Sequence, residues 1–180
     1  MGDLSKNFSR WEFTCSCGCG LDNISTQLID PLQRLRDHLG LVVTITSGIR
    51  CPKHNRKVKG AKGSFHLAGL ACDFIAAEKP LIEIYRAAIM IRDFQLGGIG
   101  LYPPWYEDGR KRDGFLHVDV GKQRRWGRVK GNYCSIQTAV ENLKRQEVVN
   151  DQSGTFGNGT NKPGIGSNGD RSGDGRQGSD

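Results

Sequence analysis

The spacing of apolar residues changes period along the chain, and each change marks an element. Ser9-Arg10-Trp11-Glu12 has the Ser-x-x-Glu form of a capping box and predicts a short helical turn. Asp30 then stands as a cap before Pro31 at a first helical position, and Leu32, Leu35 and Leu39 share one face until Gly40 ends the helix. Leu41 to Ser47 is rich in β-branched residues and predicts a strand that delivers Arg50 from its end, with a basic, glycine-punctuated loop from Cys51 to Gly63 after it. Ala71 to Ala76 is an apolar run of the kind found in buried strands. Lys79-Pro80 opens a second helix, with Leu81, Ile84, Tyr85, Ala88 and Ile91 at helical spacing. Gly97 to Tyr102 predicts a short strand and Pro103 to Gly114 a polar hairpin or loop. Phe115 to Val120 alternates with period two, which puts His117 and Asp119 on one face and Val118 and Val120 on the other. Ser135 caps a last helix with Ile136, Val140 and Leu143 along one side.

From Asn150 to Asp180 this patterning stops. Nine of those 31 residues are glycine and almost none is apolar, so the segment cannot repay its ordering entropy and is expected to be disordered. The expected division is a domain over 1–149 and a Gly-rich tail over 150–180. Asp151, Asp170, Asp174 and Asp180 against Lys162, Arg171 and Arg176 give the tail a net charge of −1, so the domain holds +8 where the whole chain has +7. Basic residues gather at Lys53, Arg56, Lys57, Lys59 and Lys62 and again at Lys122, Arg124, Arg125, Arg128 and Lys130. Such clusters suit an anionic polymer such as teichoic acid, lipopolysaccharide or nucleic acid, or simply keep the domain soluble.

Two segments carry chemistry. His66 and Asp73 flank Gly69, which allows the backbone to turn so that both side chains face one point, and His117 comes from the alternating segment. Two imidazoles and a carboxylate form the ligand set of a catalytic zinc that keeps a fourth position for water. Six cysteines fall at 15, 17, 19, 51, 72 and 134. A structural zinc usually takes two separated Cys pairs, and Cys15-Ser16-Cys17-Gly18-Cys19 lacks the common C-x-x-C bite, so reduced thiols are expected there, with Cys72 in a packing role.

The order Thr46-Ser47-Gly48-Ile49-Arg50-Cys51, His54-Asn55, Ser-x-His-x-x-Gly-x-Ala-x-Asp at 64–73, Gly97-Gly98-Ile99-Gly100-Leu101-Tyr102, Phe-x-His-x-Asp-x-Gly at 115–121 and Arg125-Trp126 resembles the zinc D-Ala-D-Ala carboxypeptidase family of peptidoglycan metallopeptidases, most closely its phage and prophage endolysin branch. The resemblance implies an α+β fold in which a small antiparallel or mixed sheet carries the zinc site between flanking helices, as in hedgehog domains. It implies zinc held by His66, Asp73 and His117, substrate contacts from Arg50 and Ser64, and D,D-carboxypeptidase or endopeptidase activity. Relatives often carry the catalytic acid three residues before the second His, where this chain has Gly114, so Asp113 and Asp119 are the candidate bases. The chain also departs at Ile49, where the family usually has Tyr.

The expected setting is synthesis in the cytoplasm, since no basic-then-apolar signal segment and no span of eighteen apolar residues is visible, followed by action at the bacterial cell wall after phage-type release. A monomer is expected, with a peptidoglycan peptide as substrate. Two other classes are a zinc-containing cell-wall-binding module that has lost its base, which Gly114 supports, and a nucleic-acid-binding protein, which has no recognisable motif behind it.

Overall fold

The computed structural model describes residues 1–154. It is an α+β fold around a six-stranded mixed sheet in the order β1-β2-β6-β3-β7-β8, where β1 is Thr44–Ser47, β2 Ala71–Ile75, β3 Gly98–Tyr102, β6 Phe115–Asp119, β7 Arg124–Val129 and β8 Asn132–Cys134. All neighbours are antiparallel except β3 and β7, which run parallel. The segment 103–114 is the expected hairpin, β4 (Trp105–Glu107) against β5 (Arg110–Arg112), turned at Asp108 and Gly109, both with positive φ.

The helices are α1 (Thr26–Leu39), α2 (Pro52–Lys57), α3 (Leu81–Met90), α4 (Arg92–Leu96) and α5 (Ile136–Gly154). Leu28, Leu32 and Leu35 of α1, Ile84 and Ala88 of α3 and Ala139 and Leu143 of α5 are buried in one core with Phe74, Ile99, Leu101, Leu116 and Val118 of the sheet. Ser9 N–H donates to the Glu12 carboxylate at 2.7 Å, the capping contact that opens the 3-10 turn Arg10–Phe13. Cys72 is fully buried in the core, as its position opposite Asp73 requires.

Three expectations are corrected. Helix α1 begins one turn before the Asp30-Pro31 pair: Ser25 is its cap and accepts from Gln27 N–H at 3.3 Å, while Pro31 lies inside. Pro31 is the sixth residue of the helix, so its missing N–H costs one backbone bond, which the burial of Leu28 and Ile29 in the extra turn offsets. The segment after Cys51 is not all loop, because Pro52 starts α2 at a position where its missing N–H costs nothing. Strands β7 and β8 have no counterpart in the expected elements. The Gly-rich tail expected over 150–180 lies outside the described residues from position 155 on, and α5 reaches Gly154. Among the described residues no helix is long and apolar enough to cross a membrane.

Candidate metal centre

The sheet register builds a cluster at its centre. Asp73 of β2 is paired directly with His117 of β6, so their side chains leave the same face side by side. His66 comes from the 3-10 turn Phe65–Ala68, which Gly69 ends in a left-handed conformation (φ 67°) with its N–H on the carbonyls of that turn. A Cβ on Gly69 would lie 2.5 Å from the Asn23 carbonyl oxygen, so only glycine turns the chain here. The three side chains are buried.

Asp73 Oδ1 lies 2.8 Å from His117 Nδ1 and 3.2 Å from His66 Nε2, and the two nitrogens are 3.2 Å apart. The outer nitrogen of each ring is anchored. His66 Nδ1 donates to the Gly48 carbonyl at 2.6 Å, and His117 Nε2 donates to Asp119 Oδ2 at 3.2 Å. These partners assign the tautomers and aim the remaining lone pairs, one from each ring, at Asp73. Three electron-rich atoms crowded together repel one another unless a cation or a proton sits among them. The donor set, its convergence and the anchored outer nitrogens therefore fit a divalent metal such as zinc.

Charge in the cluster follows the same logic. Burial works against the Asp73 carboxylate, but the two imidazoles more than offset it and hold its pKa well below the usual carboxylate range. Burial likewise pushes His117 down, yet Asp119 and Asp73 raise its pKa above the ordinary 6.5. In the metal-free protein a proton on His117 thus does part of a cation's work. Its stabilising contribution is full below pH 6.5 and fades as the pH climbs through the raised pKa, whereas that of Asp73 is full above the ordinary 3.8 and is lost in acid. Because a metal must displace the His117 proton, zinc affinity is expected to rise with pH across that raised pKa. Competition with a coloured chelator at a series of pH values measures it, and a flat profile would contradict the arrangement.

Arg50 donates from Nε to Ser47 Oγ at 2.9 Å and pairs through a terminal nitrogen with the outer oxygen of Asp73. Its side chain is 13% exposed, at the rim of the cluster. Asp119 is wholly enclosed. Oδ1 accepts from the Gly98 and Gly121 N–H groups at 3.1 and 2.8 Å, and Oδ2 from Arg124 at 2.7 Å as well as His117. Burial opposes its ionisation, but His117, the Gly121 N–H and Arg124 keep its pKa below the ordinary value. Asp113 is exposed on the link between β5 and β6, and Ser64 is half-buried just before the His66 turn. Gly114 has no room for an acid, since a Cβ there would meet the Tyr102 carbonyl, Leu81 and Pro104 at 2.7–2.8 Å.

The Gly-Gly-Ile-Gly segment has a spatial explanation. Gly98 and Gly100 of β3 face Asp119 and His117 in register, and a Cβ on Gly98 would fall 2.0 Å from Asp119 Oδ2. A Cβ on Gly100 would meet the Trp126 ring at 2.5 Å, and that ring lies 5.0 Å from His117. The Arg124 guanidinium stacks between the rings of Phe65 and Trp126, at 4.9 and 5.2 Å. Arg124, expected only as part of a basic cluster, and Trp126, known only from the motif order, thus wall the cluster. Gly98→Ala is expected to cost about 1–3 kcal/mol of stability and to displace Asp119; urea unfolding with an unchanged midpoint would show that the strand absorbs the methyl group.

The second basic cluster is partly structural: besides Arg124, Arg125 caps the carbonyls of Phe94, Gln95 and Gly97. The first cluster, Lys53, Arg56, Lys57, Lys59 and Lys62, is exposed on α2 and the loop after it. A cleft of about 850 Å³ lies off the cluster, between the β4–β5 hairpin and α5, lined by Trp105, Tyr106, Lys111, Phe115, Arg128 and Arg145 among others.

A buried His-Asp-His donor set on a mixed sheet is the framework of a metal-site protein. The chain belongs to the peptidase M15 family, whose model matches residues 6–119. It is similar to the peptidoglycan L,D-endopeptidase MepK of Escherichia coli (strain K12), with 34% identity over 113 residues, 59% of this chain and 56% of that one. A probable peptidoglycan L,D-endopeptidase MepK of Haemophilus influenzae is 33% identical over 107 residues, covering 55% of this chain and 52% of its own. The chain spans about half the length of these curated relatives.

Proposed function

We propose that the chain is a zinc-dependent peptidase that hydrolyses D-amino-acid-containing peptide bonds in peptidoglycan stem peptides or cross-links. The observation that carries this is the His66–Asp73–His117 cluster with both outer imidazole nitrogens anchored, inside the region that the family covers. The naming of both relatives as endopeptidases favours internal cleavage over release of a terminal D-Ala. Phage-type lysis is the setting that the resemblance to the endolysin branch implies.

His66, Asp73 and His117 would hold the metal. Zinc bound by such a set supplies Lewis acidity toward a carbonyl and an ionisable water with a pKa of roughly 7. Arg50 keeps the outer oxygen of Asp73 engaged, which leaves the inner one directed at the cluster, and brings positive charge to the rim where a peptide carboxylate or a carbonyl oxygen gaining charge is stabilised. Asp119, through Nε2, fixes the His117 tautomer and ring orientation. With every side of its carboxylate engaged, its geometry suits that orienting role better than proton transfer to a substrate. Asp113 then stands as the candidate base, and Ser64 lies beside the His66 turn for a substrate contact. The exposed lysines and arginines of α2 and its loop suit an anionic cell-wall polymer.

The deciding experiment digests purified peptidoglycan with and without a chelator and identifies the released ends by mass spectrometry. New amino ends inside cross-links or stems that vanish with chelator are the expected result. Free D-Ala would make the activity a carboxypeptidase. Zinc retained with nothing released from any peptidoglycan would favour the binding-module reading, which the closed space at Gly114 keeps in view.

A further inference from the structure

A second group of metal-binding side chains lies outside the cluster. The sulfurs of Cys15, Cys17, Cys19 and Cys51 all fall within 4.8 Å of one another. Cys15 and Cys17 are separated by 3.5 Å and Cys17 and Cys51 by 3.6 Å, too far for a disulfide at about 2.05 Å. Four sulfurs placed tetrahedrally at about 2.3 Å from one ion are about 3.8 Å apart, close to what these pairs show.

The loop geometry explains how a C-x-C-x-C run achieves this. In an extended strand, residues two apart share a face but stand about 7 Å from each other. Here Gly18 and Gly20 adopt left-handed conformations (φ 78° and 76°), Gly18 N–H bonds the Cys15 carbonyl, and Cys15 N–H bonds the Leu21 carbonyl. The chain curls around its own thiols. Cys51 arrives from the far side as the cap of α2, with its sulfur accepting His54 N–H at 3.3 Å, while Cys51 N–H points at Cys15 Sγ at 3.4 Å. His54 Nδ1 sits 3.3 Å from Cys15 Sγ. Peptide N–H and imidazole groups directed at sulfur are the outer partners that stabilise metal-bound thiolates.

We propose that Cys15, Cys17, Cys19 and Cys51 hold a structural zinc ion as a closed four-thiolate site that fastens the N-terminal segment to the strand exit carrying Arg50. Each thiol releases its proton to solvent as the ion binds. Four sulfurs leave no open position for water, so the site is structural. What it fastens matters to the cluster. Gly48 accepts from His66 Nδ1, Ile49 N–H bonds the Phe13 carbonyl and Arg50 N–H bonds the His66 carbonyl, so 48–51 is the seam between the two sites. The inference does not depend on the peptidase reading.

The test uses the full chain purified under reductant without added metal. Cys17 and Cys19 are exposed, so Cys17→Ser with Cys19→Ser perturbs the core little. Elemental analysis should give two zinc ions per wild-type chain, one in this double variant, and one in His66→Ala, which lacks a ligand of the other cluster. In cobalt-substituted protein the near-ultraviolet thiolate-to-metal absorption should be present in wild type and His66→Ala and absent from the double variant. The proposal is overturned by a wild-type cobalt spectrum without thiolate absorption, by absorption that survives in the double variant, by iron in place of zinc, or by a disulfide joining any two of the four cysteines. Failure of peptidoglycan cleavage leaves all these readouts untouched.

Discussion

His66→Ala, Asp73→Ala and His117→Ala are each expected to lose one zinc ion per chain and all measurable peptidoglycan cleavage. Each leaves only two protein ligands where three converge now. The three should nonetheless differ in stability. Removing Asp73 strips Arg50, whose side chain is 13% exposed, of its carboxylate partner and leaves a nearly enclosed positive charge uncompensated. Breaking such a pair costs about 3 kcal/mol, reduced to the extent that water reaches the guanidinium. His66→Ala removes a donor to the Gly48 carbonyl and His117→Ala a donor to Asp119, but Asp119 keeps Gly98, Gly121 and Arg124. Asp73→Ala should therefore have the lowest melting temperature of the three when all are compared as metal-free protein. Full zinc occupancy after dialysis in any variant would remove that residue from the site. Equal melting temperatures would mean that Arg50 finds another partner.

The readable and unreadable parts of this chain separate by physical cause. Period-two alternation exposed the register of Phe115 to Val120, because a strand with one face on the core has no other way to place His117 and Asp119 together. The apolar face of α1 was equally plain, but its start was not. Pro31 carries a strong local signal for a first turn, and the burial of Leu28 and Ile29 outweighs it. Strands β7 and β8 were hidden because Arg124-Arg125-Trp126-Gly127-Arg128-Val129 and Asn132-Tyr133-Cys134 show no regular alternation of polar and apolar residues. Their pairing comes from neighbours, with β3 holding β7 in parallel.

Cys51 was hidden for a different reason. The C-x-C-x-C run lacks the familiar C-x-x-C bite, and the fourth thiol, 36 residues from Cys15, has no neighbouring cysteine to mark it as half of a ligand pair. The adjacency of Arg50 and Cys51 was visible, but not that the chain reverses there to meet the N-terminal loop. The two basic clusters looked alike in sequence as well. Only the structure separates Arg124 and Arg125, held by Asp119 and by backbone carbonyls, from the solvated cations of α2.

Asp119→Asn and Asp113→Asn should separate the orienting role from the chemical one. Amide for carboxylate changes shape little, so both variants should fold, although at position 119 the amide must turn one N–H group toward donors it now faces. His117 would then have at best a neutral amide oxygen in place of the carboxylate that fixes its tautomer, and zinc affinity should fall by about 10- to 100-fold, with activity restored when zinc is raised to saturation. Asp113→Asn should keep its zinc and lose about 100-fold or more in cleavage rate at saturating metal, as expected for removal of a general base. The pair of readouts, zinc affinity and rate at saturation, keeps the roles distinct. An Asp119→Asn protein that holds zinc normally yet stays slow at saturation would make Asp119 the base despite its enclosure. If both variants cleave at the wild-type rate with zinc saturated, proton transfer belongs to neither carboxylate.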